Sequence, residues 1–507
     1  MSLIGLDIGT TGCKAVAFDE NGFEIGKGYV EYPLIHPKPG WAELATDTIW
    51  DSVKKVLKEA AGKAGSDKPT ALAISCQGEA IAPVDRKGNA LYNFSVSFDD
   101  RTIPQSKWWE ENLGKERIFQ ITGIPLHPMH SINKIMWFKE NRPEIYEKTW
   151  KFLCVEDYLI FKLTGAAVIS YSLASRTMAF DITSKDWSET ILDKAGIDKN
   201  LLSESRPSGY LAGEIITSLA DELGLSPNLK VVTGGHDQGC GTLGAGVTMA
   251  GYAMNATGTS DVICPIMNEA NLSSKLLDSN FCCNPHVVDD FYLSIGFNLT
   301  GGLLMRWYRD TLCAGEVAQA EKLGCDPYEI IDATSSDKIA RPMFLPHFVG
   351  SGTPTLDPLS RGALLNLTVD VDKAELNRAV LDSINYEMRF NIETMGEAGI
   401  KIERIRAIGG GAKSKRWLQL KADVFGIPVE SLEVNEAASL GAAILAGKAT
   451  GIYKDFSDSL GNIIRIKKIH EPDLKEHKLY ENQYQLYKNI YPEMKALNHR
   501  FSSISKQ

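Results

Sequence analysis

The residues of this chain best suited to chemistry are a few carboxylates, one imidazole and three glycine-rich turns, each at the end of an apolar run. Val231-Val232-Thr233-Gly234-Gly235-His236-Asp237-Gln238 supplies an imidazole, a carboxylate and an amide in three consecutive positions, directly after a strand-like stretch. A polar cluster among glycines is expensive to bury in a core, so a cleft is its expected place. The turns Gly9-Thr10-Thr11-Gly12, Thr257-Gly258-Thr259-Ser260 and Gly409-Gly410-Gly411-Ala412-Lys413-Ser414 add backbone N–H groups and hydroxyls of the kind that face a phosphate. Together they suit phosphoryl transfer to an alcohol, which needs a bound nucleotide, a divalent cation and a carboxylate near the attacking hydroxyl. Asp237 fits the base. Asp7, beside the first turn, fits a cation held through water, because magnesium prefers carboxylate oxygen and keeps much of its hydration shell. Taken singly, these residues have plainer readings: a turn-capping aspartate, a structural histidine, an ordinary hairpin. The turn at residues 409–411 is neither a P-loop nor a dinucleotide fingerprint, which argues against a dehydrogenase.

These groups need rigid elements to hold them. Residues 3–8 read as a strand, 9–12 as a tight turn and 14–18 as the returning strand. Helical periodicity follows at 46–64, 134–141 and 155–163, with a strand-like run at 71–75 between. Such alternation predicts an α/β protein. Past Gly251 the chain begins again, with strand-like residues 252–255, the second turn, and strand-like residues 261–265. The likeness of this turn to the first suggests two half-chains built on one plan, although it is too short to count as a repeat. A strand at 405–408, the third turn and a helix at 415–425 come next. From about Asp455 the chain is rich in Lys, Tyr and Glu and helical over 474–497; this tail either packs its apolar side on the second half or serves a homodimer contact.

With 507 residues, 44% hydrophobic and 23% charged, the chain has enough apolar material for two or more cores and too much to be disordered. Its 64 acidic and 54 basic side chains leave a formal net charge of -10, which repels phosphate backbones and anionic lipids, so no nucleic-acid partner is expected. No run approaches the roughly 20 apolar residues of a membrane span, and the first, at 3–8, is broken by Gly5 and Asp7, so neither a span nor a signal peptide is expected. The nine cysteines are odd in number, scattered and without a C-x-x-C pair, which suits a reducing, cytoplasmic setting. Adjacent Cys282 and Cys283 are expected as buried thiols rather than a bridge or a zinc site.

On these residues the chain resembles the FGGY carbohydrate kinases, of the superfamily that also holds actin, hexokinase and the heat-shock chaperone ATPases. The likeness covers about residues 1–450. Met129-His130-Ser131-Ile132-Asn133-Lys134-Ile135-Met136-Trp137-Phe138-Lys139-Glu140-Asn141 is similar to the first family signature. Residues 362–382, including Glu375-Leu376 and Ala379-Val380-Leu381-Asp382, are similar to the second, with Asn366 where glycine is usual. The resemblance implies an α/β fold of two ribonuclease-H-like (actin/hexokinase superfamily) domains with an interdomain cleft. Residues 1–250 would carry the sugar and the base and residues 251–507 the nucleotide, with the junction at 245–255 and hinge closure excluding water. It further implies ATP-dependent phosphorylation of a sugar hydroxyl, with ATP and Mg2+ as cofactors. By similarity Asp7 and the Thr10-Thr11 turn face the γ-phosphate and metal, Lys14 leans on phosphate, and Asp237 accepts the hydroxyl proton. Gly258 and Thr259 meet the nucleotide phosphates, and Gly409, Gly410, Gly411 and Ala412 form the adenosine-side loop.

The sugar site implied by the resemblance comprises Gln77, Gly78, Glu79, Asp99, Arg101 and His236. Ser75-Cys76-Gln77-Gly78-Glu79-Ala80 matches the position of the family's substrate loop, where xylulokinases usually carry Met-His and glycerol kinases Arg-Glu; Gly78-Glu79 matches neither fully. A glutamate acceptor still suits a ligand made of hydroxyls. Asp99 and Arg101 resemble the family's D-x-R element, which bonds a substrate hydroxyl or holds the loop that does. Trp41 and His127 either cover the sugar or pack, and residues 348–362 resemble the interdomain stretch. Asn284-Pro285-His286-Val287 and Met305-Arg306-Trp307-Tyr308-Arg309-Asp310 are similar to autoinducer-2 kinases as well as pentulose kinases, which leaves the subfamily open. The expected substrate is a ketopentose such as xylulose. The alternatives are another polyol, gluconate or an autoinducer-2 type sugar, and, of a different class, an actin-like ATP-binding sugar sensor without transfer activity, for which Asp237 would have little use.

Overall fold

A computed structural model describes residues 1–504, apart from the side chains at 458 and 459. Six strands form the first sheet: β1 (Ser2–Ile8), β2 (Gly12–Asp19), β3 (Glu24–Glu31), β4 (Pro69–Cys76), β5 (Leu211–Glu214) and β6 (Lys230–His236), in the order β5-β6-β4-β1-β2-β3. β1, β4 and β6 run parallel, whereas β1–β2, β2–β3 and β5–β6 are antiparallel. The parallel strands are buried almost throughout, as expected for a sheet covered on both faces. Helix α1 (Thr46–Ala64) covers one face with Ile49, Val53, Val56, Leu57 and Ala60, a helical stripe of buried positions. It comes so close to β3 that a Cβ at Gly28 would lie 2.5 Å from Val56 O. Helices α2 (Ser131–Asn141), α3 (Val155–Thr164) and α4 (Asp237–Gly244) complete the parts of the first half that build the site.

The second sheet repeats the plan. β7 (Gly251–Thr257) and β8 (Asp261–Met267) make an antiparallel hairpin, β9 (Ile402–Gly409) and β10 (Val429–Leu432) follow in parallel, and β11 (Ile466–His470) closes the edge antiparallel. This is the pairing of β1–β2, β4, β6 and β5 over again, so the two similar turns occupy equivalent places. Helices α5 (Lys373–Glu397), α6 (Lys415–Phe425), α7 (Ala437–Ala449) and α8 (Leu474–Ile504) belong to this half in sequence. Packing does not respect that division. α7 lies on the first sheet and across α4, with backbone meeting backbone at glycines: an added Cβ would fall 1.7 Å from Ser439 O at Gly5, 1.8 Å from Ala437 O at Gly244 and 1.9 Å from Cys240 O at Gly441.

The tail helix α8 packs on α5 through Tyr480, Tyr484 and Tyr487, which are buried and donate to Asp382, Glu393 and Glu387. Its buried side is thus aromatic with polar tips, while Leu474, Leu479, Leu486 and Leu497 are exposed; the reading of an apolar stripe facing inward is corrected in that respect. All nine cysteines are free thiols, and Cys282 and Cys283 are both buried. Among the described residues no helix is long and apolar enough to cross a membrane.

Candidate active site

The parallel strands of the first sheet end in register, with Asp7 opposite Ser75, Ser75 opposite Gly235, and Cys76 opposite His236. Strand neighbours lie about 4.8 Å apart, so this row gathers Asp7, the loop after β4 and the head of α4 at one edge. That edge, outside the carboxyl ends of parallel strands, is where open α/β sheets bind ligands. Asp7 Oδ1 accepts from Ser75 Oγ at 2.9 Å, and Oδ2 lies 3.6 Å from Lys14 Nζ. Burial pushes the Asp7 carboxyl up, against the pull of Lys14 and Ser75. Lys14 also reaches Glu436 Oε2 at 2.8 Å, where Lys27 joins it, so a carboxylate just before α7 ties β2 and β3 to the second half. Burial works against the Lys14 charge, but Asp7 and Glu436 outweigh it and hold the ammonium above its ordinary range.

Asp237 opens α4. Its Oδ1 is buried and receives no hydrogen bond, and His236 Nε2 stands 3.3 Å away without the geometry to make one. Burial first, then the charge of Asp7, lifts the Asp237 carboxyl to about 7. His236 is lowered to about 3 by burial and by Arg176, so its imidazole is neutral near pH 7. Upstream, Glu156 of α3 accepts from Gly234 N at 2.8 Å and from the N–H and hydroxyl of Ser170, which fixes the bend leading to Asp237. A buried carboxyl titrating near neutrality, with an unoccupied acceptor oxygen, is suited to receive a proton from an alcohol.

The loop after β4 splits in purpose. Gln77 turns to the first turn, donating to Gly9 O and accepting from Thr10 Oγ1, both at 3.3 Å. These bonds support the Gly9-Thr10 backbone, because β4 and β1 end side by side. Glu79 instead turns its carboxylate to Arg176, from a left-handed backbone (φ 63°). Its carbonyl accepts from Ser131 Oγ at 2.9 Å and Lys134 Nζ at 2.8 Å, both from α2, so residues of the first signature hold this strained position. Its carboxylate pairs with Arg176, whose Nε lies 2.6 Å from Oε1. Burial opposes the Glu79 charge, but Arg176 overcomes it and draws the carboxyl below its usual range. Gly78 lets this cluster close, since a Cβ there would come within 3.1 Å of His236 Nε2 and 3.4 Å of Arg176 Cγ.

Asp99 and Arg101 are bound chiefly to each other. Arg101 donates from Nε and Nη2 to both oxygens of Asp99, at 2.7 Å each, and from Nη2 to Glu43 at 2.6 Å, while its guanidinium lies 3.8 Å from the Trp41 ring centre. Asp99 also accepts from Ala42 N at 2.7 Å. Of the two readings this arrangement favours the loop-holding one; only the buried Arg101 Nη1 lacks a partner. Trp41 packs edge-on against Trp137, and His127 Nδ1 accepts from Met129 N.

In the second half Thr257 and Gly409 are opposite one another at the ends of parallel β7 and β9. Gly258, Thr259, Gly409 and Gly410 are exposed, and nothing lies within 4 Å of a Cβ built at Gly258. Gly409 needs its freedom: φ is 83° and a Cβ would meet Thr257 O at 2.6 Å. Gly411 and Ala412 follow in a short 3-10 turn, and Ser414 caps α6 by accepting Trp417 N at 3.0 Å. Behind the turns Lys421 of α6 is buried and reaches Asp261 Oδ2 at 2.9 Å and Thr257 Oγ1 at 2.8 Å, which fixes the β7–β8 hairpin to the helix. An open, donor-rich pair of turns beside a helix start fits the phosphates and sugar of a nucleotide.

Among the described residues no cluster of three or more His, Cys, Asp or Glu forms a metal cage. Asp7, buried at the strand ends with its Oδ1 held by Ser75, fits a hydrated Mg2+ brought with a nucleotide, which one or two carboxylates suffice to hold. Arg176, Glu43 and Lys421 went unread as site residues. Arg176 did carry a signal: it is the one charge in Leu173-Ala174-Ser175-Arg176-Thr177-Met178-Ala179-Phe180.

Comparison with known proteins finds relatives along nearly the whole chain. The N-terminal domain of the FGGY family of carbohydrate kinases matches residues 2–244 and its C-terminal domain residues 253–450. A xylulose kinase of Staphylococcus epidermidis is 30% identical over 499 residues, covering 98% of this chain and 97% of the relative. A gluconokinase of Bacillus subtilis is 30% identical over 503 residues, covering 95% and 96%. The crystal structure of ligand-bound xylulose kinase from Lactobacillus acidophilus superposes with a TM-score of 0.90 at 26% identity over 99% of each chain.

Proposed function

Because the chain belongs to the FGGY family of carbohydrate kinases, we propose that it transfers the γ-phosphoryl group of ATP to a hydroxyl of a ketopentose such as xylulose. The observation that carries this reading is Asp237, whose buried, donor-free Oδ1 belongs to a carboxyl titrating at about 7. In the proposed arrangement residues 1–250 take the sugar and residues 251–507 the nucleotide. The sugar hydroxyl donates to Asp237 Oδ1 and gives up its proton there as its oxygen attacks phosphorus. Neutral His236 and the Glu79 carboxylate orient neighbouring hydroxyls. Asp7, steadied by Ser75, would hold Mg2+, which when bound offsets charge on the phosphates. The N–H groups of the Thr10-Thr11 turn and of Gly258 and Thr259 receive phosphate oxygens, with Lys14 adding positive charge; the turn at Gly409, Gly410, Gly411 and Ala412 takes the adenosine side. Closure of the halves keeps out water, which would otherwise accept the phosphoryl group.

The xylulose kinase relative and neighbour support the ketopentose reading; the gluconokinase relative, at equal identity, makes an aldonate the competitor. The test is sugar-dependent ADP release with MgATP across ketopentoses, polyols, aldonates, deoxyketoses and the autoinducer-2 precursor, against a no-sugar blank. A ketopentose is expected to give the largest response. An aldonate at the head of the series would replace the substrate, and release equal to the blank throughout would favour the sensor reading.

A further inference from the structure

We propose that the buried Glu79–Arg176 pair sets the charge preference of the sugar site: Glu79 occupies the guanidinium, so the site accepts neutral sugars and rejects sugar acids. The inference rests on the sugar-kinase reading and refines its substrate class. Arg176 is 9% exposed and each of its guanidinium nitrogens already has an acceptor. Nε lies 2.6 Å from Glu79 Oε1, Nη2 reaches the same oxygen, and Nη1 lies 3.1 Å from Asn284 Oδ1. The Asn284 amide is oriented in turn by donating to Ser175 Oγ at 3.1 Å, so the arginine is clamped from both halves of the chain. No donor to Glu79 Oε2 is found among the described residues, which leaves that oxygen for a hydroxyl.

The surrounding charges point the same way. Lys134 turns its ammonium to the carbonyls of Glu79 and Ser95, and Arg101 is matched by Asp99 and Glu43 together. His130, whose ring nitrogens face the backbone carbonyls of Pro125 and Arg176, is neutral near pH 7 because burial disfavours its charged form. A carboxylate entering beside Glu79 would therefore find Arg176 already matched, the Lys134 ammonium fully buried against carbonyls, and a like charge in Glu79, which is costly away from water. An uncharged hydroxyl can donate to Glu79 without that penalty. Without the Glu79 charge, Arg176 would present a guanidinium fork, the group best matched to a carboxylate. The left-handed backbone at Glu79, held by Ser131 and Lys134, shows that the fold sustains a strained position to keep this side chain in place.

The test compares D-xylulose and D-gluconate as ligands of the full-length protein, by calorimetry and by ADP release with MgATP, in wild type, Glu79→Gln and the double variant Glu79→Gln/Arg176→Gln. Wild type is expected to favour xylulose. Glu79→Gln should move the gluconate-to-xylulose affinity ratio at least about tenfold toward gluconate, equivalent to about 1.4 kcal/mol, and the double variant should lose that gain. Glu79→Gly, which suits the left-handed backbone, carries the same test if the glutamine variant fails to melt cooperatively. An unchanged ratio in the folded single variant, a gain that persists without Arg176, or a wild type that prefers gluconate would overturn the proposal. Absence of sugar-dependent ADP release from wild type would instead count against the kinase reading, and the binding ratio would still decide the role of the pair.

Discussion

Asp237 is held in a position that favours its chemistry at the expense of its own ionisation. Burial and Asp7 lift the carboxyl to about 7, so near neutral pH it exchanges protons readily instead of remaining a fixed anion. Asp237→Asn is expected to lower kcat by about 10²- to 10⁴-fold while leaving ATP binding in place, as steady-state kinetics and calorimetry would show. In wild type kcat/KM for the sugar should rise as pH increases through about 7, since only the ionised carboxylate accepts the proton; the asparagine variant should lack that limb. The stability effect has the opposite sign. A carboxyl whose pKa is raised by folding favours the folded state while protonated, and that contribution is lost as pH rises from about 4 toward 7. Melting curves should therefore show Asp237→Asn gaining on wild type between pH 5.5 and pH 8. Asp237, Asp7 and the three turns stand out in the sequence because each is a local event, a polar residue or glycine turn at the end of an apolar run. Arg176 stands out as a lone charge, but its partner does not, because that glutamate lies 97 positions away.

Two glycines that look alike in the sequence separate at the scale of elements. Gly441, where α7 crosses α4, faces backbone: its Cβ would be 1.9 Å from Cys240 O, with no side chain there to move aside. Gly441→Ala should destabilise the protein by about 1–3 kcal/mol or more, seen as a lower melting temperature whether or not ligands are present. Gly258 at the β7–β8 turn has open space instead. Gly258→Ala should melt like wild type yet raise the ATP KM by about tenfold, because the methyl group would occupy room left for phosphate. An unaltered KM would remove that turn from the nucleotide site. Elements were read where their own periodicity was strong, as in α1 and α6. The first turn of α2 was missed because no side chain caps it; Ser131 is committed to the Glu79 carbonyl and marks no boundary.

Across the whole molecule the two halves are joined less by a linker than by α7, which belongs to the second half in sequence and packs on the first sheet. Glu436 extends that joint by meeting Lys14 and Lys27 of β2 and β3. These groups are partly exposed, so Glu436→Gln should lower the melting temperature modestly and by less in high salt than in low salt. A salt-independent loss would mean that the residue acts by packing rather than charge. The sequence by itself determined the two strand–turn–strand units, the strand–turn–helix that follows, and the carboxylates and glycines at their ends, because hydrophobic period and turn chemistry act over a few residues. Only the tertiary structure decided which charges cancel. Lys14 finds Glu436 across 422 positions, Lys421 finds Asp261 across 160, and Arg176 finds Glu79 across 97. Removing an ion from water is tolerated only where a counter-charge is delivered to the same place, and that delivery depends on how distant elements pack, which leaves no mark in local sequence.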